Sequence, residues 1–306
     1  MTVLRSVIEA IGNTPLVELG RIRDDLELDG RLLAKLDHLN PGFSKKDRAA
    51  RMIIEAARHA GDLAAGQTVV ELTSGNMGTG LAIVCAMLGH PFVAVMSAGN
   101  SAERARMMRA LGAEVVLVPQ TEGTRPGEVS GADLTLVEAE ARRITNERGA
   151  FRADQFGHSG NPAAHETGTA PEIWDQSGGT VTAFCDFVGS GGTLGGAARF
   201  FGPKGVRCYA VEPDNPAHPI QGGGYEMPEL EHLKTVELAG TETVSGAEAA
   251  EHARLLARRE GIFGGYSVGA NLAAAIRLLR GPERGGCVAF VVCDSGLKYL
   301  STDLWE

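Results

Sequence analysis

The 306-residue sequence predicts an α/β fold made of parallel sheets with helices on both faces. Three observations carry that prediction. Short β-branched runs alternate with Ala-, Leu-, Met- and Arg-rich helical patterns along the chain. The strand candidates are continuously apolar, as in Val288-Ala289-Phe290-Val291-Val292, which suits strands buried on both faces. Glycine, 41 residues of 306, is at about twice its ordinary usage and serves tight turns and loops that wrap a ligand. The length corresponds to about two domains or one large α/β unit, with core enough to need no disulfide or metal staple.

Taken in chain order, the first strand falls over 31–36 and is followed by a helix over 47–60. A strand over 68–72 then feeds a helix over 78–88. The pattern repeats with a strand over 92–96 and helix over 102–111, then a strand over 114–118 and helix over 134–147. Strands over 181–188 and 206–212 follow, then helices over 247–259 and 271–279, and a last strand over 287–293. Two stretches break the rhythm. Residues 120–133 (QTEGTRPGEVSGAD) and 158–170 (HSGNPAAHETGTA) are polar and glycine-bearing, and both read as loops, with a domain crossover near the second. There is no internal repeat, low-complexity tract or heptad pattern.

Charge and cysteine usage exclude several classes. Twenty-nine basic against 38 acidic residues leave a net charge of -9, which argues against a nucleic-acid partner, since neutralising phosphates needs a basic face. The N-terminus carries Glu9 and no long apolar core, so it is not a secretory signal. No apolar stretch approaches a membrane span. The five cysteines (Cys85, Cys185, Cys208, Cys287, Cys293) show no metal-ligand spacing. Four lie in or beside apolar runs, as core residues do. The expectation is a cytoplasmic protein without a metal site.

Three glycine-rich loops precede or open helices. Thr73-Ser74-Gly75-Asn76-Met77-Gly78 follows a strand. Its exposed N–H groups and helix dipole suit a carboxylate or phosphate, although a simple N-cap by Thr73, Ser74 or Asn76 accounts for the same residues. Gly189-Ser190-Gly191-Gly192-Thr193 also stands at a strand end. It fails the dinucleotide fingerprint, which requires glycine at the position of Leu194, and no Gly-Lys-Ser/Thr follows to make a Walker loop. A loop sized for one phosphate remains. Gly265-Tyr266-Ser267-Val268-Gly269 matches a hydrolase nucleophile elbow in form. That reading needs a later histidine, and the last is His252.

Pro41-Gly42-Phe43-Ser44-Lys45-Lys46-Asp47-Arg48 places two lysines at a helix start. Such a lysine is ordinarily solvated. At a positive helix end beside a second lysine its charged form is disfavoured, which is what a Schiff-base lysine needs. Together with Val211-Glu212-Pro213 and Asp294-Ser295-Gly296-Leu297-Lys298-Tyr299-Leu300, these elements occur in a specific order. The sequence resembles the cysteine synthase (O-acetylserine sulfhydrylase) and cystathionine β-synthase family of pyridoxal-phosphate enzymes, within the tryptophan synthase β superfamily (fold type II). The resemblance starts at Ile11-Gly12-Asn13-Thr14-Pro15-Leu16 and covers essentially the whole chain.

The resemblance implies two doubly wound sheet domains. One is a smaller mobile domain over 41–156; the larger comprises 1–40 plus 157–306, with pyridoxal 5'-phosphate between them. Lys46 is then the Schiff-base lysine, and Gly189, Ser190, Gly191, Gly192 and Thr193 the phosphate cradle. Asn76 faces the ring hydroxyl and Ser267 the pyridine nitrogen. A neutral hydroxyl there leaves that nitrogen unprotonated, which suits prompt β-elimination. Thr73, Ser74, Gly75, Met77 and Gln155 grip the substrate carboxylate.

The implied activity is β-replacement on an O-activated L-serine through an α-aminoacrylate, with sulfide or another nucleophile adding at Cβ. An amine or other thiol as nucleophile, dehydratase-type elimination and a catalytically silent paralogue are the alternatives. A homodimer is the family's habit, and no regulatory extension or haem leader is expected.

Three positions depart from the family pattern. Met77 replaces a hydroxyl whose hydrogen bond to a carboxylate is worth about 1.5–3 kcal/mol. Lys45 fills a position that is usually apolar. The segment after Pro213 is shortened, and Gln221-Gly222-Gly223-Gly224-Tyr225-Glu226-Met227 stands where a Gly-Ile-Gly-type loop is usual.

Overall fold

The computed structural model of the chain describes residues 3–121, 129–215, 218–224 and 230–306. Strand β1 (Leu16–Glu18), helix α1 (Gly20–Asp25) and β2 (Arg31–Lys35) come first, and helix α2 (Lys46–Ala60) follows. A regular alternation runs through β3 (Val69–Leu72), α3 (Asn76–Leu88), β4 (Phe92–Ser97), α4 (Ala102–Ala110), β5 (Glu114–Val118), α5 (Gly131–Arg148) and β6 (Phe151–Arg152). Helices α6 (Gly160–Ala164) and α7 (Ala170–Gln176) lead to β7 (Ala183–Phe187), α8 (Gly192–Phe201), β8 (Arg207–Pro213) and β9 (Gly240–Val244). Helices α9 (Gly246–Glu260) and α10 (Tyr266–Arg280) and strand β10 (Cys287–Val291) complete the order.

The strands form two sheets. One is four-stranded and wholly parallel, in the order β5-β4-β3-β6; the other has six strands, in the order β1-β2-β10-β7-β8-β9. Only β1 is antiparallel in the larger sheet. Alternate residues of each strand face opposite layers. Val69, Phe92, Ala94 and Met96 pack on α2, α3 and α4, while Val70, Leu72, Val93 and Val95 pack on α5. In the larger sheet Leu32, Cys185, Val211 and Phe290 face α9 and α10, whereas Leu33, Phe184, Ala210 and Val291 face α7 and α8. This double cover is the physical reason that the strands read as unbroken apolar runs.

The stretch over 158–170 is not a loop. It holds α6 and a π-helical turn, His165–Thr169, that continues into α7. Its polar residues Asn161, His165 and Thr169 are fully buried and paired: Asn161 Nδ2 donates to the Gln155 carbonyl at 2.7 Å, and His165 Nδ1 lies 2.9 Å from Thr169 Oγ1. Polarity there marks internal hydrogen bonding, which composition alone reads as exposure. Of the other expected loop, 122–128 lie outside the described residues. Ser130 closes it by capping α5 in a capping box with Asp133. Three short strands, β1, β6 and β9, were not expected; β1 and β6, of three and two residues, give too little periodicity to read, and the five of β9 (GTETV) are mostly polar.

Both sheets change direction where the site forms. From β3 the order runs outward through β4 to β5, while β6 lies on the other side of β3; likewise β10 flanks β7 opposite β8. Open α/β sheets bind ligands at the carboxyl ends of such strands. The loops leaving β3 and β6 carry Thr73–Gly75 and Gln155, and those leaving β7 and β10 carry the 189–193 loop and Cys293.

Candidate active site

The loop before α2 places its lysines by backbone ties to the end of β10. Lys45 N–H donates to the Cys293 carbonyl at 2.8 Å, and Ser295 N–H to the Phe43 carbonyl at 3.1 Å. Phe43 takes a φ of 61°, uncommon for a bulky residue and a mark of a backbone held by its surroundings. Lys45 is the N-cap residue and Lys46 the first residue of α2.

Lys46 Nζ donates to Ser190 Oγ at 3.2 Å. Its pKa is lowered to about 8, first by burial and then by the Lys45 ammonium. The second cause is the one the adjacent lysines suggested; burial, the larger, has no signature in the sequence. Lys45 behaves oppositely. Burial opposes its charge, but the Asp186 carboxylate and the Cys293 thiol more than offset that and raise its pKa. Lys45 Nζ stands 2.5 Å from Asp186 Oδ2.

Ser190 also accepts from Asn161 Nδ2 at 2.9 Å. Beside it the chain turns into α8 through Gly191, whose φ of 79° is in the left-handed region that favours glycine. A Cβ on Gly192 would land on the Asn161 side-chain amide. No side chain caps α8, so its first-turn N–H groups face a concavity that only glycine leaves open, the form of an anion site. His165 Nε2 lies 3.3 Å from Thr193 Oγ1, and burial holds the imidazole well below its usual pKa. A neutral histidine behind the loop adds no competing charge.

Lys45, Lys46, Asp186 and the 189–193 loop line a cleft together with Asn76 and Ser267. Asn76 opens α3. Its Nδ2 donates to Asp294 Oδ2 at 2.7 Å and its Oδ1 accepts from Lys298 Nζ at 2.7 Å, which fixes the amide. Ser267 lies in the first turn of α10 beside the Cys293 thiol, and no histidine is among the described residues lining the cleft. That removes the hydrolase reading a second time.

The residues expected to hold a substrate carboxylate stand outside this lining. Thr73 Oγ1 accepts from Gly75 N–H and Gly78 N–H, both at 2.9 Å, and so caps α3 from three residues back. Arg104 donates to the Ser74 carbonyl at 2.8 Å and packs under Gly75, whose φ is 126°. Gln155 Nε2 donates to the Leu72 carbonyl at 3.0 Å, at the end of β3. The Met77 side chain is in the core with α2 and α4, so the departure at 77 is a packing change here. Of the 221–227 segment, Gln221 and Gly222 line the cleft, and Tyr225, Glu226 and Met227 lie outside the described residues.

Asp186, Asn161 and Asn271 escaped the sequence reading, and Asp294 and Lys298 entered it as part of a motif without a role. Asp186 carried a legible signal, because a carboxylate inside a doubly covered apolar strand requires a buried partner.

The fold and the site define a cofactor-dependent α/β enzyme with a half-buried lysine of lowered pKa beside a glycine loop that opens a helix. The chain belongs to the pyridoxal-phosphate dependent enzyme family, whose match spans residues 7–294. It is 36% identical to a cysteine synthase of Staphylococcus aureus over 98% of this chain and 97% of that protein. An O-acetylserine dependent cystathionine beta-synthase from Helicobacter pylori superposes with a TM-score of 0.91 at 30% identity, over the whole of both chains. O-ureido-L-serine synthase superposes at 0.88 with 33% identity, over 99% of this chain and 96% of that one. These are fold-type II structures, as the sequence implied. Its cofactor is pyridoxal 5'-phosphate, and the uncapped α8 terminus and open Gly192 face fit a phosphate-bearing group.

Proposed function

We propose that this protein catalyses β-replacement on an O-activated L-serine, with sulfide as the first nucleophile to test. The observation that carries the reading is Lys46, a half-buried amine with a pKa lowered to about 8 that donates to Ser190 of the 189–193 loop. The relatives named cysteine synthase and O-acetylserine dependent cystathionine beta-synthase support it. Bound in the cleft, pyridoxal phosphate supplies a carbonyl carbon for an amine and an electron sink for charge developing at Cα.

The chain supplies the rest. Residues Gly189, Ser190, Gly191, Gly192 and Thr193 hold the phosphate on N–H groups and the Thr193 and Ser190 hydroxyls. Asn76, locked by Asp294 and Lys298, presents its amide to the ring hydroxyl. Ser267 offers a neutral hydroxyl at the pyridine nitrogen. Lys46 Nζ would take the Cα proton; its lowered pKa keeps a useful fraction unprotonated near neutrality. Thr73, Ser74, Gly75, the backbone of Met77 and Gln155 receive the carboxylate when residues 41–156 close as a smaller, mobile unit against 1–40 and 157–306. The five free, buried cysteines support a reducing cytoplasmic setting. A homodimer completes the proposal and is checked by light scattering.

The test mixes the protein loaded with pyridoxal phosphate with O-acetyl-L-serine or O-phospho-L-serine in a stopped-flow spectrometer, then adds sulfide, thiols and amines. A visible-band change produced by one ester and reversed by a nucleophile establishes β-replacement and identifies both substrates. Release of pyruvate without a nucleophile would assign elimination instead. No response to either ester overturns the proposed substrate.

A further inference from the structure

Two lysines, Lys45 buried and Lys46 half-buried, stand side by side at the start of α2, and among the described residues lining the cleft there is one carboxylate, Asp186. The geometry divides them. Asp186 Oδ2 is held by Lys45 Nζ at 2.5 Å. Asp186 Oδ1 is engaged from the other side by Asn271 Nδ2 at 3.3 Å and the Cys293 thiol at 3.6 Å. Asn271 is itself anchored on the Val291 carbonyl at 2.9 Å. Both members of the pair are buried, Lys45 at 7% and Asp186 at 2% exposure, so neither charge can exchange its partner for water. Lys46 is left with a hydroxyl, Ser190 Oγ, and no carboxylate among the described residues within hydrogen-bonding distance.

We propose that Lys45 is a positioning residue for Lys46: bound to Asp186, it keeps that carboxylate from capturing Lys46 Nζ and sets a fixed cation beside it, so that Lys46 meets Ser190 as a free amine. This rests on Lys46 being the lysine that engages the cofactor, as proposed above. It explains why a charged residue occupies a position that the resemblance expects to be apolar. A lone Lys45 would be a costly buried charge and a lone Asp186 would take Lys46; only the pair leaves Lys46 unpaired. The other groups whose charges act on Lys46 are the Cys293 thiol and the Glu71 carboxyl, which favour its protonated form. Lys46 in turn disfavours the charged forms of His165 and His232.

The test reads protonation of Lys46 directly, apart from turnover. The full-length chain, freed of cofactor, is labelled with trace acetic anhydride from pH 6 to 11, and the Lys46 peptide is quantified by mass spectrometry. Wild-type protein and Lys45→Arg, which keeps the cation, should show the same midpoint. In Lys45→Met, Asp186 faces Lys46, and the midpoint should rise by at least about one pH unit, roughly an eightfold fall in labelling at pH 7.5. Should that variant fail to fold by circular dichroism, Lys45→Met with Asp186→Asn removes both charges. Its midpoint should still lie above wild type, because the adjacent cation that disfavours the charged form of Lys46 is gone. An unchanged midpoint in whichever folded variant is measured overturns the proposal. A shifted midpoint in a protein that responds to neither serine ester upholds the role of Lys45 and discards the substrate.

Discussion

At Lys46 the amine lies 3.2 Å from the Ser190 hydroxyl, and burial ahead of any neighbour lowers its pKa to about 8. The sign of the pH dependence follows. The neutral amine attacks, so uptake of pyridoxal phosphate should accelerate as pH rises towards about 8 and level off above it, followed by visible absorbance. Lys46→Ala should hold no covalently bound cofactor after borohydride reduction, whereas Lys45→Met should still carry it on the Lys46 peptide. The reverse result would shift the motif register by one residue. Of this site the lysine pair, both glycine loops and Ser267 were legible, because each is a local string with a local chemical reason. The pairings of Asp186 and Lys298 were not, since their partners lie 141 and 222 residues away in sequence.

Helix starts organise the next scale. Helix α8 begins in a glycine loop without a side-chain cap, and Gly192→Ala should place a methyl against Asn161. We expect the variant to fold and to bind pyridoxal phosphate at least about tenfold more weakly, equivalent to roughly 1.4 kcal/mol, read by absorbance titration. Helix α7 has a different task. Its Glu172 receives Arg48 of α2 at 2.6 Å and Lys35 of β2 at 2.7 Å. Burial works to raise its carboxyl, yet Arg48 and Lys35 outweigh burial and hold it at about 2. A carboxylate depressed in the folded state stabilises above its unfolded value and loses that contribution as pH falls through about 4.5 to 2. Glu172→Gln should therefore cost about 2–3 kcal/mol at pH 7. The gap from wild type in urea denaturation should close near pH 2. The polar stretch containing α6 shows the limit of composition at this scale: buried Asn161, His165 and Thr169 look like loop residues until their partners are placed.

Across the whole molecule, the two sheets bring their switch points together, and the cleft draws on segments from Lys45 to Cys293. The proposed closure of residues 41–156 predicts that O-acetyl-L-serine, added to the Lys46→Ala variant, slows amide hydrogen exchange over 73–78 and around Gln155. Unaltered exchange there would place carboxylate recognition elsewhere. The alternation of strands and helices, the double cover of the strands and the order of the glycine loops could be determined from the sequence by itself. Each depends on periodicity or on residues within a few positions, and burial on two faces writes itself directly into strand composition. The tertiary structure alone decided that Met77 serves the core, that Asn76 is locked between Asp294 and Lys298, and that Asp186 takes Lys45 and leaves Lys46 free. Those outcomes depend on which side chains share one low-dielectric space. Desolvation and pairing act through distance in three dimensions and have no counterpart in spacing along the chain.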